Sequence, residues 1–224
     1  MIAGKKRELF LDTKKISGQS SIFDVLPETG SSELVSPTIV SDSSRETSSV
    51  FPVAQTKTKN KTEKVIWELF VDGASRGNPG PAGAGVYIRK NNKEFLKAGC
   101  FLGKKTNNEA EYLALLLGIF FLQSQLTLSA SNTSASNTGE SVRIVSDSEL
   151  LIKQINGIYR VRKPELQKLH GAAKQESSKF VCTFEHVLRE KNTDADAAAN
   201  QGVDTRKSPP LIFLDMLQKY EIFI

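Results

Sequence analysis

The order of strand-like and helix-like segments between residues 65 and 203 is the feature that most constrains the fold. Residues 65–72 form an apolar, strand-like run. Residues 84–89 and 94–101 carry aromatic and branched side chains on both sides of a polar turn, which predicts a hairpin. Residues 108–125 are apolar on most sides and contain no proline, so they predict a buried helix. The first half of the domain therefore predicts three antiparallel strands and a helix packed on them.

The second half of the domain alternates between predicted strands and predicted helices. When helices separate successive strands, those strands run parallel, so we expect a mixed five-stranded sheet covered by helices in an α/β domain. The predicted segments are strands at 142–146 and 180–188, and helices at 148–156, 164–177 and 193–203.

Composition divides the chain into a folded domain and two flanking regions. Residues 1–62 are rich in Ser and Thr and contain no Trp or Tyr, which is typical of a flexible extension. We place the folded domain at residues 63–207 and an apolar tail at residues 208–224, either a docked helix or a peptide for a protein partner. The extension is a second candidate for a partner contact. Residues 129–140 have low complexity and predict a surface insertion.

Length and charge limit the class of protein. A chain of 224 residues with 39% hydrophobic content can bury one ordinary core, and it has no apolar stretch of the roughly 20 residues that a membrane span needs. The start of the chain lacks the apolar core of a secretory signal, so we expect a cytoplasmic protein, and we expect a monomer. The net charge of +5 favours polyanionic partners modestly.

Four acidic residues occupy distinct contexts along the domain. Asp72 ends the first strand-like run, Glu111 lies on the predicted buried helix, Asp147 follows a strand, and Asp196 begins an alanine-rich helix. Carboxylates brought close together repel one another, and a divalent cation removes that cost. The four acids therefore suggest a metal site whose ligands are far apart in sequence.

The type of ligand favours magnesium over zinc. Hard ions such as Mg²⁺ take oxygen ligands, whereas zinc sites use His and Cys. Cys100 and Cys182 lie far apart with no second pair, and His170 and His186 are not spaced as a helical pair. We interpret these four residues as surface or packing residues.

Four short motifs follow one another in order between residues 65 and 205. The motifs are Asp72-Gly73-Ala74-Ser75 with Gly77-Asn78-Pro79-Gly80, Thr106-Asn107-Asn108-Glu109-Ala110-Glu111, Ser146-Asp147-Ser148, and Asp196-Ala197-Ala198-Ala199-Asn200. Together they resemble the type 1 ribonuclease H family. The resemblance implies that family's mixed five-stranded fold and an endonuclease that hydrolyses the RNA strand of RNA–DNA hybrids, leaving 5′-phosphate and 3′-hydroxyl ends.

The resemblance implies a two-ion site. In the family, four carboxylates hold two magnesium ions, for which manganese is a substitute. Glu109 is a rival to Glu111 and Asp194 a rival to Asp196, but the family's spacing favours the later residue of each pair. The matching carboxylates are Asp72, Glu111, Asp147 and Asp196.

The same resemblance suggests where the hybrid binds. Asn107, Asn108 and the loop from Gly73 to Asn78 match positions that contact the minor groove and the RNA 2′-hydroxyls, while Lys104 and Thr106 match a contact to a DNA phosphate. The predicted substrate contacts are Gly73, Ser75, Asn78, Lys104, Thr106, Asn107 and Asn108. A basic stretch is a candidate for sequence-independent phosphate contacts, or is simply a solvated helix face; it comprises Arg160, Arg162, Lys163 and Lys168.

The loop before the last carboxylate and the ordinary roles of acidic residues bear on this interpretation. Some family members carry a histidine in the loop before the last carboxylate, but residues 187–192 contain none, so the chain resembles the branch that lacks it. Taken singly, each acid also has an ordinary role: Asp72 in a turn, Asp147 or Asp196 at a helix start. The alternative function is a non-catalytic nucleic-acid-binding protein on the same fold.

Overall fold

The computed structural model describes residues 65–131 and 141–224, which form one five-stranded sheet with helices on both faces. Its elements are β1 (Ile66–Ser75), β2 (Gly80–Lys90), β3 (Lys93–Lys105), α1 (Asn107–Ser131), β4 (Ser141–Ser146), α2 (Glu149–Ile155), α3 (Pro164–Ser177), β5 (Cys182–His186), α4 (Thr193–Thr205) and α5 (Leu211–Gln218). The strand order is β3-β2-β1-β4-β5. β1, β2 and β3 pair antiparallel, and β1, β4 and β5 pair parallel, which confirms the predicted mixed sheet.

The antiparallel strands are longer than predicted. β1 continues through Gly73 to Ser75 and β2 already begins at Gly80, because Ser75 still pairs with Ala82. The predicted glycine-rich turn is therefore confined to residues 76–79. Asn91 has a positive φ of 51° and tightens the β2–β3 turn at the predicted place.

The first helix is buried around almost its whole circumference. Positions from Ala110 to Leu122 are buried, as the lack of a polar face predicted. α1 approaches the sheet so closely at Gly118 that an added Cβ would lie 2.6 Å from Leu69 Cδ1. It ends at Ser131, beyond the predicted end near residue 125 and within the segment predicted as a surface insertion, while residues 132–140 lie outside the described part. No helix in the described ranges is long and apolar enough to cross a membrane.

The opposite face of β2 and β3 is covered by α4 at very short distance. An added Cβ on Gly85 would lie 2.0 Å from the Ala195 carbonyl oxygen, and one on Gly99 would lie 2.1 Å from that of Ala198. Small residues on both sides therefore let backbone pack on backbone. This contact explains why the helix that carries Asp196 is rich in alanine.

The C-terminal segment is a docked helix. Phe213 of α5 is fully buried, with its ring centroid 5.6 Å from that of Phe120 on α1. Beyond α5, the Tyr220 hydroxyl donates to Glu176 Oε1 at 2.5 Å, and Gln123 Nε2 donates to Glu176 Oε2 at 2.9 Å. Of the two alternatives for the tail, the structure shows the docked helix. The predicted extension, residues 1–62, lies outside the described residues.

Candidate functional site

The topology brings the four acids to one edge of the sheet. Asp72 lies on β1, and Asp147 directly follows the neighbouring parallel strand β4, where Phe70 pairs with Val145. Glu111 lies in the first turns of α1 on one face, and Asp196 lies in the first turn of α4 on the other. The carboxyl ends of parallel strands are the usual place for a functional site in such a sheet.

A glycine allows Glu111 to reach Asp72. A Cβ added to Gly73 would lie 2.2 Å from the backbone nitrogen of Glu111, so α1 can contact β1 at this point only because position 73 has no side chain. Both carboxylates are consequently buried, with 6% of each residue exposed. Gly73, predicted as a substrate contact, thus has a packing role in this structure.

The carboxylates affect one another's ionisation. Burial, followed by the charges of Asp147 and Asp196, raises the pKa of Asp72 to about 6. Burial and the charges of Asp72 and Asp147 raise the pKa of Glu111 well above its usual range. A hydrogen bond from the Gly73 backbone opposes the rise in both pKa values. The acids therefore act on one another electrostatically.

Asp147 is held by a buried asparagine that the sequence analysis missed. Asn192 Nδ2 donates to Asp147 Oδ1 at 2.6 Å and to the Val71 carbonyl oxygen at 3.0 Å. Both partners are acceptors, so the amide nitrogen must face them, and Asn192 Oδ1 is left buried without a hydrogen-bond partner. Asn192 is only 1% exposed. Its one sequence signal is its place before α4, which is also typical of a simple N-cap.

Asp196 is held by an arginine, which the sequence analysis also missed. Arg189 Nη2 lies 2.5 Å from Asp196 Oδ1, and Asn200 Nδ2 lies 3.3 Å from Asp196 Oδ2. Arg189 is on a short 3₁₀ helix (Arg189–Lys191), within the loop that lacks the family's histidine. Its side chain is 74% exposed, so this ion pair exchanges readily with solvent or another partner.

The acids fit a hard divalent cation, although the present side-chain arrangement is not a finished ligand set. Within residues 65–131 and 141–224, no three His, Cys, Asp or Glu side chains are gathered into a ready ion site. Asp147 and Asp196 instead face Asn192 and Arg189. Glu111 Oε2, however, is buried without any hydrogen-bond partner. An orphaned carboxylate oxygen among other carboxylates, with no imidazole or thiolate, matches the oxygen ligands of magnesium.

The two rival acids have other roles. Glu109 Oε2 accepts hydrogen bonds from the backbone nitrogen and hydroxyl of Thr106 at 2.8 and 2.6 Å, which is a capping box at the start of α1. Asp194 forms an ion pair with Lys97 at 2.7 Å on the surface. Neither contact involves the cluster around Asp72.

Several predicted substrate residues surround the start of α1. Ser75 Oγ lies 2.5 Å from the Gly77 carbonyl oxygen and 2.8 Å from the Lys105 carbonyl oxygen, and its single hydroxyl hydrogen is shared between them at the β1–β2 loop. Asn78 Oδ1 accepts from the Asn107 backbone nitrogen at 3.2 Å, which ties that loop to α1. The side chains of Asn107 and Asn108 make no hydrogen bond to a described residue and remain available to a ligand.

A cavity of about 570 Å³ joins the predicted phosphate contacts to the basic stretch. Lys104, Thr106 and Lys163 line it, together with two glutamates. Lys168 does not belong to this cavity, because its Nζ pairs with Glu221 Oε2 at 3.0 Å next to the C-terminal segment. The predicted basic stretch is therefore divided between two surfaces.

Comparison with known proteins gives one family and several relatives. A family model described as reverse transcriptase-like matches residues 70–202. The chain is 33% identical over 138 residues to ribonuclease HI of Halobacterium salinarum, covering 60% of this chain and 63% of that protein. It is 35% identical over 144 residues to the bifunctional protein Rv2228c of Mycobacterium tuberculosis, covering 63% of this chain but only 36% of that protein.

Solved structures show the same fold. The crystal structure of RNase H1 from Halobacterium salinarum superposes with a TM-score of 0.52 at 30% identity, covering 62% of this chain and 98% of that one. The crystal structure of LC11-RNase H1 in complex with an RNA/DNA hybrid gives a TM-score of 0.53 at 31% identity, covering 63% and 98%. The region that the family model matches, residues 70–202, contains all four acids.

Proposed function

The chain belongs to the reverse transcriptase-like family, in which it matches type 1 ribonucleases H, and on that premise we propose that it hydrolyses the RNA strand of RNA–DNA hybrids. The observation that carries the proposal is the convergence of four acids from distant elements, one of them with a buried, unpartnered oxygen, Glu111 Oε2. A relative solved with an RNA/DNA hybrid supports the choice of substrate. The cleavage is endonucleolytic.

The four acids supply carboxylate oxygens, the ligand type that two divalent cations require. Asp72, Glu111, Asp147 and Asp196 would hold them, with Mg²⁺ as the natural ion and Mn²⁺ as a substitute. When bound, the ions lower the pKa of an attacking water and stabilise the departing 3′ oxygen, which leaves 5′-phosphate and 3′-hydroxyl ends. Bound cations would favour the ionised forms of Asp72 and Glu111, against the burial and the neighbouring charges that raise the pKa of each.

The remaining residues prepare this centre. Asn192 orients Asp147, and Arg189 pairs with Asp196 and holds it near the cluster until an ion displaces the arginine. Such partners of metal ligands fix ligand orientation, and their loss typically lowers metal affinity or activity. The chain thus supplies a centre that is assembled by packing and completed by ion binding.

The hybrid would lie across the start of α1. Lys104, Thr106 and Lys163 line one cavity and would receive a phosphate of the DNA strand. The free amides of Asn107 and Asn108 would contact the minor groove and the RNA 2′-hydroxyls, the groups that distinguish RNA from DNA. These contacts account for selection of a hybrid over either pure duplex.

The direct test is cleavage of three matched duplexes by the purified full chain. An RNA–DNA hybrid, double-stranded RNA and double-stranded DNA of one sequence are incubated with Mg²⁺ and with a chelator. We expect cleavage of the hybrid alone, only with Mg²⁺, and end-group analysis giving 5′-phosphates. Binding of the hybrid without any turnover would instead identify the alternative function, a non-catalytic nucleic-acid-binding protein.

The variant Asp147→Asn tests the assignment of the acids. It keeps the shape of the side chain and removes one ligand charge, so we expect cleavage to fall by more than about 100-fold while hybrid binding is largely kept. The matched control is Asp215→Asn, because Asp215 is exposed on α5 and distant in the fold from the cluster. Cleavage by Asp147→Asn at the rate of this control would show that Asp147 is misassigned.

A further inference from the structure

A second cavity lies on the α4 face of the sheet, separated from the carboxylates by Asn192. Its volume is about 350 Å³, and its walls come from β1, β2, β4, β5 and the start of α4. This volume is at the lower end of the ~300–1,000 Å³ typical of small-molecule sites. We propose that this cavity binds a single nucleotide unit and that its occupancy is communicated to Asp147 through Asn192. The binding stands independently, whereas the effect on cleavage rests on the proposed function.

The floor of the cavity offers flat surfaces for a nucleobase. The rings of Phe70 and Tyr87 lie with their centroids 5.9 Å apart at 45°. The guanidinium groups of Arg89 and Arg143 lie over the Phe70 ring, at 4.8 and 5.9 Å from its centroid, so the guanidinium planes and the Tyr87 ring are the flat surfaces left for a ligand. Aromatic rings and guanidinium planes are the surfaces on which proteins stack unpaired bases. A flat aromatic ligand is therefore favoured over a sugar or a simple anion.

The cavity also has one unsatisfied acceptor and one unsatisfied donor. Asn192 Oδ1 and Arg89 Nε are both buried without a hydrogen-bond partner. Leaving such a group unpaired in the interior destabilises the protein. An inorganic anion has no donor for Asn192 Oδ1, but the edge of a nucleobase presents amino donors beside ring acceptors. A base therefore carries both kinds of partner that these two atoms lack.

One cation at the rim is left for a phosphate. Lys191 makes no ion pair with any described carboxylate, whereas Arg143 is shared between Glu68 and Glu185. The cavity's other acid, Asp194, is paired with Lys97. A single free ammonium group matches a monophosphate better than a triphosphate.

Asn192 connects this cavity to the catalytic edge. A ligand that donates to Asn192 Oδ1 polarises the amide and strengthens the hydrogen bond from Nδ2 to Asp147. That bond sets the orientation of Asp147 at the edge of the sheet where the acids meet. Occupancy of the cavity should therefore raise kcat, with little change in KM for the hybrid.

The test is calorimetric titration of the full chain with adenosine 5′-monophosphate, adenosine, inorganic phosphate and a short single-stranded RNA. A chelator is present so that phosphate does not enter the carboxylate cluster with a metal. We expect the monophosphate to bind more tightly than adenosine or phosphate. The single-stranded RNA tests whether the bound nucleotide unit is free or part of a polymer. If only the RNA binds, and Tyr87→Ala abolishes its binding, the site is also supported.

Two variants and one control locate the binding. Tyr87→Ala should weaken binding about tenfold, because stacking is worth roughly 1–3 kcal/mol per base. Lys191→Gln, a change on the exposed surface that leaves the core intact, should remove the preference for the monophosphate over adenosine. Tyr159→Ala, which changes an exposed tyrosine outside the cavity, should bind like the unmodified chain.

The experiments distinguish failure of nucleotide binding from failure of hybrid cleavage. Monophosphate binding no tighter than that of phosphate, or unchanged in both Tyr87→Ala and Lys191→Gln, would overturn the nucleotide site even if hybrids are cleaved. Nucleotide binding by a chain that cleaves no hybrid would retain the site and overturn the proposed function. An unchanged kcat at saturating nucleotide would remove the coupling through Asn192.

Discussion

The two helices that deliver acids to the site, α1 and α4, do so in different ways. α1 packs through large buried side chains, and its close approach at Gly73 places Glu111 in the interior with one carboxylate oxygen unpartnered. α4 packs through alanines on strand glycines and leaves Asp196 half-buried in an ion pair with Arg189. One acid is positioned by packing and the other by an exchangeable charge partner.

This difference separates what is rigid in the site from what adjusts. Moving Glu111 requires moving a helix in the core, whereas Asp196 needs only to exchange a solvent-exposed arginine. A site of this kind carries the cost of an unpaired buried carboxylate until a cation arrives. We therefore expect substitutions of the backbone, of charges and of the surface to affect the Glu111 side and the Asp196 side of the site unequally.

The largest expected effect is that of Gly73→Ala, which would disrupt the contact between α1 and β1 that positions Glu111. The new Cβ would lie 2.2 Å from the Glu111 backbone nitrogen, so α1 or β1 must shift. We expect a loss of at least about 3 kcal/mol in the free energy of unfolding, measured by urea denaturation, and loss of hybrid cleavage. Gly171→Ala is the control, since its Cβ meets nothing within 4 Å and should stabilise α3 by up to ~1 kcal/mol. Equal stability of the two variants would contradict the close approach.

The second prediction distinguishes Glu111 from Asp196 by their contributions to stability. Glu111→Gln removes a carboxyl that burial makes costly to ionise, so without divalent ions at alkaline pH we expect it to unfold at a higher urea concentration than the unmodified chain. Asp196→Asn removes one exposed ion pair, so its free energy of unfolding should change by less than about 1 kcal/mol. Both variants should lose cleavage. A destabilised Glu111→Gln would show that Glu111 contributes to stability rather than to the site.

Sequence reasoning recovered the parts of the molecule that local patterns determine. The mixed sheet follows from segment order, and the assignment of Glu111 over Glu109 agrees with the capping box that Glu109 forms with Thr106. Asn192 and Arg189 were missed because their partners, Asp147 and Asp196, are reached only once the loop before α4 folds back to the sheet. No periodicity or turn signal encodes such contacts.

The ends of elements were missed for a related reason. β1 and β2 extend toward their loop because the pairing of Ser75 with Ala82 continues through residues that are poor strand formers alone. Gly85 likewise gives a local signal only for weak strand propensity, although its function is to admit the Ala195 carbonyl. Tertiary contact overrides local preference at both places.

A third prediction concerns the pH dependence of ion binding, which involves Asp72. The pKa of Asp72 is raised to about 6, above its value of roughly 4 in an unfolded chain. The stability that protonation of Asp72 contributes is therefore present below about pH 4 and is lost as the pH rises through 6 in metal-free protein. Mg²⁺ should raise the Tm clearly at pH 8 and little at pH 5, as measured by calorimetry. In Asp72→Asn this difference between the two pH values should shrink; an unchanged difference would assign it to other acids.

The smallest expected effect concerns the far end of α1, which the C-terminal segment secures. Tyr220→Phe removes the hydrogen bond from the tyrosine hydroxyl to Glu176 Oε1. Because Glu176 keeps Gln123 and Lys179 as partners, we expect a loss of only about 1.5 kcal/mol in urea denaturation, and unchanged cleavage. Tyr159→Phe, which loses an exposed contact to Lys153, should cost less than about 0.5 kcal/mol. Reduced cleavage in Tyr220→Phe at full folding would mean that anchoring of α1 at its C-terminal half controls the position of Glu111, and the rigid side of the site would then extend along the whole helix.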